Sequence, residues 1–278
     1  MQQVAEDHLH GDPFLPDRLA RRLRRRVPGA WGRVAGAVPL VAGSLLWRQR
    51  AWSPARRAAR AWLGDLDRLV QRLATAMGEP GEIEPGLRSE VAALLSGLPR
   101  LPASMRRRLL RLPSCFRSFD QSPEDMEALA AAFVERWPEP GRPLVVAGVR
   151  SSGSYLAPLV AAALRRRGYA DVTAVALRPG QRWLPGEARP LERAAAAGGL
   201  ALLVDDPPRS WASIGGGARA LAELGFGARR TVLLLATFAD AAVPPAALAA
   251  HPAVLLPFAC WTASRRLEPD RIHLSRGR

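Results

Sequence analysis

Two adjacent carboxylates, Asp205 and Asp206, stand just ahead of two hydroxyls, Ser210 and Ser213. An acid pair suits sugar hydroxyls or a hydrated Mg²⁺. The hydroxyl-bearing loop opens a helix, where free backbone N–H groups and the positive end of the helix dipole favour an anion. A binder of hydroxyls beside a binder of anions asks for a phosphorylated sugar. A second loop of small residues, Arg150-Ser151-Ser152-Gly153-Ser154, also stands between an apolar run and a helical stretch. It is a second potential anion site of the same kind.

The hydrophobic pattern shows which elements must position these loops. Residues 200–204 form a continuous apolar run, the mark of a buried parallel strand. Beyond the loop, Ala218, Leu221, Ala222 and Leu224 are spaced for one face of a helix. Pro143 introduces a strand over 144–149, and a helix over 155–167 follows the Arg150 loop. Further strands are expected at 172–177, 231–236 and 254–258, with a polar stretch over 178–190. Ahead of them, Ser122-Pro123-Glu124-Asp125 predicts a helix start. Ser122 is its N-cap, Pro123 takes the first helical position and Asp125 stands at the capping-box distance. That helix runs to about 137 with Met126, Leu129, Ala130, Phe133 and Val134 facing inward. Strands alternating with helices from about 143 to 258 predict an α/β domain with a doubly wound parallel sheet. Ligands of such sheets sit beyond the carboxyl ends of the strands, where both loops lie.

The stretch LALLVDDPPRSWASIGGGARALAELG, residues 200–225, resembles the phosphoribosyl diphosphate (PRPP) motif of type I phosphoribosyltransferases. That motif is an apolar strand, two acids, two further residues, a Thr-Thr-Gly-x-Thr-like loop and a helix. The spacing continues without a gap through Ser213 and Ile214 to Leu221 and Gly225. Pro207-Pro208 replaces the usual apolar pair, and Arg209-Ser210-Trp211-Ala212-Ser213 replaces the threonine-rich loop. Trp211 stands where the family prefers Gly, so its side chain narrows the phosphate pocket unless it points away.

The resemblance, over about residues 112–258, implies roles for these positions. Asp205 and Asp206 would hold the ribose hydroxyls and, through water, Mg²⁺. Residues 209–213 would anchor the 5′-phosphate, and Arg150 through Ser154 the pyrophosphate. The stretch with Arg178, Gly180, Gln181, Arg182, Trp183 and Gly186 would be a mobile loop closing over PRPP. This chain has no Lys, so Arg178 or Arg182 would supply the catalytic cation. The implied reaction is transfer of the phosphoribosyl group to a nitrogen acceptor with release of pyrophosphate, as in nucleotide metabolism; the acceptor cannot be read.

Other classes compete. A PRPP- or nucleotide-binding regulator would keep the pocket without turnover. A serine hydrolase would use Ser151 or Ser152 with Asp240 and His251, in hydrolase order. Its nucleophile elbow, however, needs Gly two residues before Ser, and Val149 and Arg150 stand there. A P-loop is excluded by the absence of Lys. The dinucleotide fingerprint fails because the run from Gly148 to Gly153 has no Gly at its third position.

Composition bounds the rest. A chain of 278 residues, 48% hydrophobic, holds a full core and one main domain plus an extension. Net charge is +15 and every one of the 40 basic residues is Arg. A bias so one-sided, with abundant Ala, Pro and Gly, reads as compositional drift as much as function, so the charge is weak evidence for nucleic acid. Cys115 and Cys260 are too few and too isolated for a disulfide framework or a zinc site, and they read as buried small apolar residues. Residues 1–16 lack the pattern of a secretory signal, and 34–47, interrupted by Pro39, is too short to span a bilayer. A cytoplasmic location follows as the expectation.

Residues 1–111 read as a helical, basic extension and 112–278 as the α/β domain. The extension holds a basic helix over 17–26 with Leu19 and Leu23 on it, a helix over 53–77 with the stripe Ala58, Trp62, Leu66, Leu69 and Leu73, a short helix over 87–95, and a basic segment with Arg106, Arg107 and Arg108. A solvated helix face is the plain account of the basic helix; an anionic membrane surface or nucleic acid is the alternative. Docking a partner, capping the site and forming a homo-oligomer are the roles open to the extension. Residues 115–121 either pin a loop to the core or shape a base pocket.

Overall fold

The computed structural model describes residues 54–77, 85–101, 121–180, 183, 185–239 and 242–262. The basic helix over 17–26, the apolar run over 34–47, Arg106–Arg108, Cys115, Gln181, Arg182 and Asp240 lie outside the described residues. The chain divides into two units, one of residues up to Val70 with Ile83–Arg111, the other of Gln71–Glu82 with Leu112 onward.

In the first unit, α1 (Pro54–Ala76) as far as Val70 and α2 (Pro85–Ser96) enclose a small core. Ala59, Trp62, Leu63 and Leu101 are buried there, and the Trp62 indole Nε1–H donates to the Leu94 carbonyl at 3.1 Å. The expected stripe holds at Trp62 and Leu69, which are buried, and in part at Leu66 and Leu73; only at its start does it differ, where Ala58 is exposed and Ala59 is buried instead. Ala58 and Ala59 are equally apolar, so the partner helix and not hydrophobicity sets the phase. Helix α2 starts two residues ahead of expectation, with Pro85 in the first position, where its missing N–H costs nothing.

The second unit is a doubly wound α/β layer structure. Its elements are α3 (Pro123–Arg136), β1 (Leu144–Val149), α4 (Gly153–Arg166), β2 (Val172–Leu177), α5 (Pro185–Ala196), β3 (Leu200–Asp205), α6 (Ala212–Ala222), β4 (Thr231–Thr237) and β5 (Ala253–Pro257). The five strands are all parallel, in the order β2-β1-β3-β4-β5. Because side chains alternate across a strand, each apolar run feeds two cores. Leu144, Val146, Leu200, Leu202, Val204, Val232 and Leu234 face α3 and α4, where Met126, Leu129, Phe133, Leu156 and Val160 meet them. Val145, Ala147, Ala201, Leu203, Leu233 and Leu235 face α5 and α6, against Leu191, Ile214 and Leu221. Burial on both faces explains why the central strands β1, β3 and β4 read as apolar runs rather than alternating.

Helix α3 starts as its sequence predicts. Ser122 Oγ accepts from the Asp125 backbone N–H, and the Asp125 carboxylate accepts from the Ser122 N–H at 2.8 Å. Asp125 Oδ1 also accepts from the N–H and hydroxyl of Thr262, at 2.7 and 2.9 Å, so one buried carboxylate caps a helix and ties down the chain beyond β5. Glu127 of α3 pairs with Arg166 and Arg167 at the end of α4. Burial alone would raise its pKa; the hydrogen bonds from Arg167 and Arg166 outweigh this and hold it below the usual glutamate value.

Three expectations are corrected. The polar stretch expected over 178–190 stops short, because α5 begins at Pro185 and carries Pro190 inside it. Glu, Ala, Arg and Leu dominate this segment and favour helix. Pro190 falls in the second turn and removes a single bond near the helix start. In α6, Ala222 is exposed and Leu224 is buried beyond the helix end; the inward face is Ile214, Gly217, Ala218 and Leu221. Cys260 is half-buried rather than buried, and among the described residues no helix is long and apolar enough to cross a membrane.

Candidate functional site

The site follows from strand order. From β1 the chain passes over one face of the sheet to β2, then crosses back by the other face to β3, on the opposite side of β1. The carboxyl ends of β1 and β3 therefore flank a topological switch point, where loops leave in opposite directions and open a crevice. The Arg150 loop leaves β1 there and the acid pair ends β3. Val149 pairs with Leu177 in register, so Arg150 and Arg178 are neighbours on adjacent strands, and the Arg150 N–H donates to the Leu177 carbonyl at 2.9 Å.

The Arg150 loop is built on a contact between two backbones. A Cβ on Gly153 would lie 2.6 Å from Gly148 Cα and 3.0 Å from the Val204 carbonyl oxygen. A Cβ on Gly148 would lie 2.9 Å from Ala157 Cβ. Glycine at both ends lets α4 begin directly on β1 and β3, which presses residues 150–152 into a tight turn. The Arg150–Ser151 peptide within it is cis. Gly153 and Ser154 already belong to the first turn of α4, and Ser152 is its N-cap residue.

Alternation along β3 separates the acid pair. Asp205 continues the Ala201, Leu203 series toward α6, and Asp206 turns toward α4. Asp205 Oδ2 accepts from the Ser213 hydroxyl at 2.9 Å, while its Oδ1 accepts from the Asp206 N–H at 2.9 Å. Asp206 Oδ2 accepts from the Ser152 hydroxyl at 2.6 Å. The Arg150 loop is thus joined to the acid pair through Ser152, and the 209–213 loop through Ser213. Burial pushes the Asp205 carboxyl up to about 7; the Ser213 hydroxyl and the Asp206 N–H pull it down less than burial raises it, and the Asp206 charge adds to the rise. Burial likewise draws the Arg178 guanidinium down, although an arginine stays charged at neutral pH.

Arg209, Ser210, Ala212 and Ser213 are exposed at the start of α6, with Ala212 and Ser213 in its first turn. Trp211 is the residue at its N-cap and adopts a left-handed backbone, φ 59°. That conformation is natural to Gly and unusual for a bulky residue. Its ring is half-buried against the core under α5 and α6. The segment after β2 is tied to the same helix: a Cβ on Gly216 would lie 2.7 Å from Pro179 Cβ, and the Trp183 Nε1–H donates to the Ala220 carbonyl at 3.3 Å. Pro179, the tie of Trp183 to α6 and the Gly148–Gly153 contact were not foreseen from the sequence; the available signal for the last was the pair of glycines bracketing the Arg150 loop.

The donor set fits a Mg²⁺ held mainly by water and by its ligand's own oxygens. Two adjacent carboxylates end β3, and among the described residues no group of three metal-ligating side chains forms a cage. A hydrolase triad does not assemble. His251 precedes β5, at the amino end of the sheet, whereas Ser151 and Ser152 follow β1 at the carboxyl end, about 16 Å away along a five-residue strand. Comparison with protein-family models, curated proteins and solved structures finds no match to this chain.

Proposed function

We propose that the chain is a phosphoribosyltransferase-like protein that binds PRPP with Mg²⁺ and passes the phosphoribosyl group to a nitrogen acceptor. The observation that supports this most is the convergence, at one switch point, of an acid pair and two helix-opening loops linked through Ser152 and Asp206. Asp205 and Asp206 hold the ribose hydroxyls. The N–H groups of the 209–213 loop and Ser213 hold the 5′-phosphate. Arg150 through Ser154 hold the pyrophosphate, with Arg178 beside them; Arg182 would serve from the same connection. In the reaction the acceptor nitrogen's lone pair forms the bond to C1, and the bond from C1 to the pyrophosphate oxygen breaks with its electron pair leaving on pyrophosphate. The nitrogen's proton passes to water. Mg²⁺, when bound, neutralises the departing diphosphate. What the chain supplies is placement and a fixed field of donors around a sugar that gains positive charge.

Calorimetric titration of the purified chain with PRPP in excess Mg²⁺ tests the reading. Binding is expected, and an Asp205→Asn, Asp206→Asn variant is expected to bind at least about tenfold more weakly, since each pair of hydroxyl contacts is worth on the order of 1–3 kcal/mol. Pyrophosphate release with a panel of nitrogenous acceptors then separates an enzyme from a silent PRPP-binding regulator. A folded wild type that ignores PRPP would overturn the assignment.

A further inference from the structure

The two edges of the sheet are finished differently. Along a strand, successive residues turn their N–H and C=O groups to opposite sides. In β5 the Pro252 carbonyl accepts from the Leu233 N–H, so Ala253, Leu255 and Pro257 carry the outward groups. This edge is blunted. The Arg136 guanidinium donates to the Ala253 carbonyl at 2.7 Å, and Pro257 has no N–H to offer. In β2 the Asp171 carbonyl accepts from the Leu144 N–H, and the Leu177 carbonyl from the Arg150 N–H. The residues between alternate, so Val172, Ala174 and Ala176 turn their backbone groups away from β1. Arg165 donates to the Val172 carbonyl and covers the amino end of this edge. Among the described residues nothing bonds to the outward groups of Ala174 and Ala176. The strand holds no charge and no proline, and Thr173, Ala174, Val175 and Ala176 are half-buried where β1 and β4 are buried throughout. An edge of this kind is a template for another strand.

We propose that β2 is a dimerisation edge, on which the β2 of a second copy of this chain pairs antiparallel about a twofold axis and joins the two sheets into one. The edge suits its own copy. A twofold axis at Ala174 sets it against the partner's Ala174 as a hydrogen-bonded pair, with small side chains at the axis. Val172 then faces the partner's Ala176, and Thr173 the partner's Val175. These side chains are small or β-branched, the kinds that pair well across strands. The flanking charges complete the match. Asp171 precedes β2 and Arg178 follows it, so antiparallel pairing brings an acid of one copy toward a cation of the other at each end. Neither the edge nor its pairing depends on what the switch point binds.

The test uses the intact chain. Sedimentation through the micromolar range, up to about 0.5 mM, is expected to show a monomer–dimer equilibrium. Residue-resolved amide hydrogen exchange is then read at both ends of that range. The Ala174 and Ala176 amides should exchange at least about tenfold more slowly in the dimer than in the monomer. The Val175 amide, which faces β1, should be protected in both. A chain that stays monomeric over the whole range overturns the dimer edge. So does a dimer whose Ala174 and Ala176 amides exchange as fast as in the monomer, because its interface lies elsewhere. Protection already complete in the monomer overturns it as well, because the chain itself then covers the edge. Ala174→Pro removes the outward N–H at the axis, a change that an edge strand tolerates. The variant should be monomeric at about 0.5 mM; if a thermal melt shows it folded and it still dimerises, the proposed pairing is wrong. Should the variant fail to fold, exchange in the wild type decides alone.

Discussion

Asp205 holds its proton up to about pH 7, against an ordinary value of 3.8. Between those values the folded chain keeps a proton that the unfolded chain has released. The contribution of this residue to stability is therefore greatest below about pH 4, falls as pH rises and is least above about pH 7. Asp205→Asn removes the dependence. The variant should melt higher than the wild type at pH 8, by about 3 °C for each kcal/mol relieved, and lose most of that advantage at pH 4. Equal melting temperatures at both pH values would contradict the burial that raises this carboxyl. The acid pair itself was legible, because two adjacent carboxylates after an apolar run are conspicuous. Their separate partners were less so. Strand alternation sends Asp205 toward α6 and Asp206 toward α4, but only the folded packing selects Ser213 and Ser152 from the available hydroxyls. Trp211 shows the same limit. Its departure from Gly is visible in the sequence, yet the fate of its ring depends on contacts with the core under α6.

The central strands were legible almost to the residue, because a run buried on both faces has few polar interruptions to blur its ends. The helices were less so wherever proline or poly-alanine weakened the signal, as in α5 with its internal Pro190 and at the start of α1, where Ala59 rather than Ala58 is buried. The β1–α4 connection yields a sharp expectation for a single methyl group. In Gly153→Ala the new Cβ meets the Gly148 backbone at 2.6 Å and the Val204 carbonyl at 3.0 Å. Backbone atoms cannot swing aside as a side-chain end can, so β1, β3 and α4 must separate. The loss should exceed the 1–3 kcal/mol typical of overpacking, seen as a fall in denaturation midpoint. Gly141→Ala, where nothing lies within 4 Å, serves as the control and should change little. Similar midpoints for the two variants would refute the close contact of β1 with α4.

The last turns of α1 belong with the sheet rather than with α2. Ala74 is part of the core under α3 and α4, the Gln71 side chain accepts from Arg165 at 3.0 Å, and the Thr75 carbonyl accepts from Arg166 at 3.2 Å. A chain cut to begin at 112 forfeits these contacts. It is expected to melt below the intact chain, by about 4 °C or more if Ala74 and one hydrogen bond together contribute about 2 kcal/mol. A fragment that melts with the intact chain would show that residues 71–76 contribute nothing to the sheet unit. The strand order, which the alternation of elements does not fix by itself, brings Arg178, Arg150 and the acid pair to consecutive strand ends. A proton on Asp205 then has a consequence for approach. Below about pH 7 Asp205 is mostly protonated and adds little negative charge beside the two guanidinium groups. An anion diffusing toward the carboxyl rim meets a cationic field, and encounter slows as alkaline conditions ionise Asp205 and cancel that field.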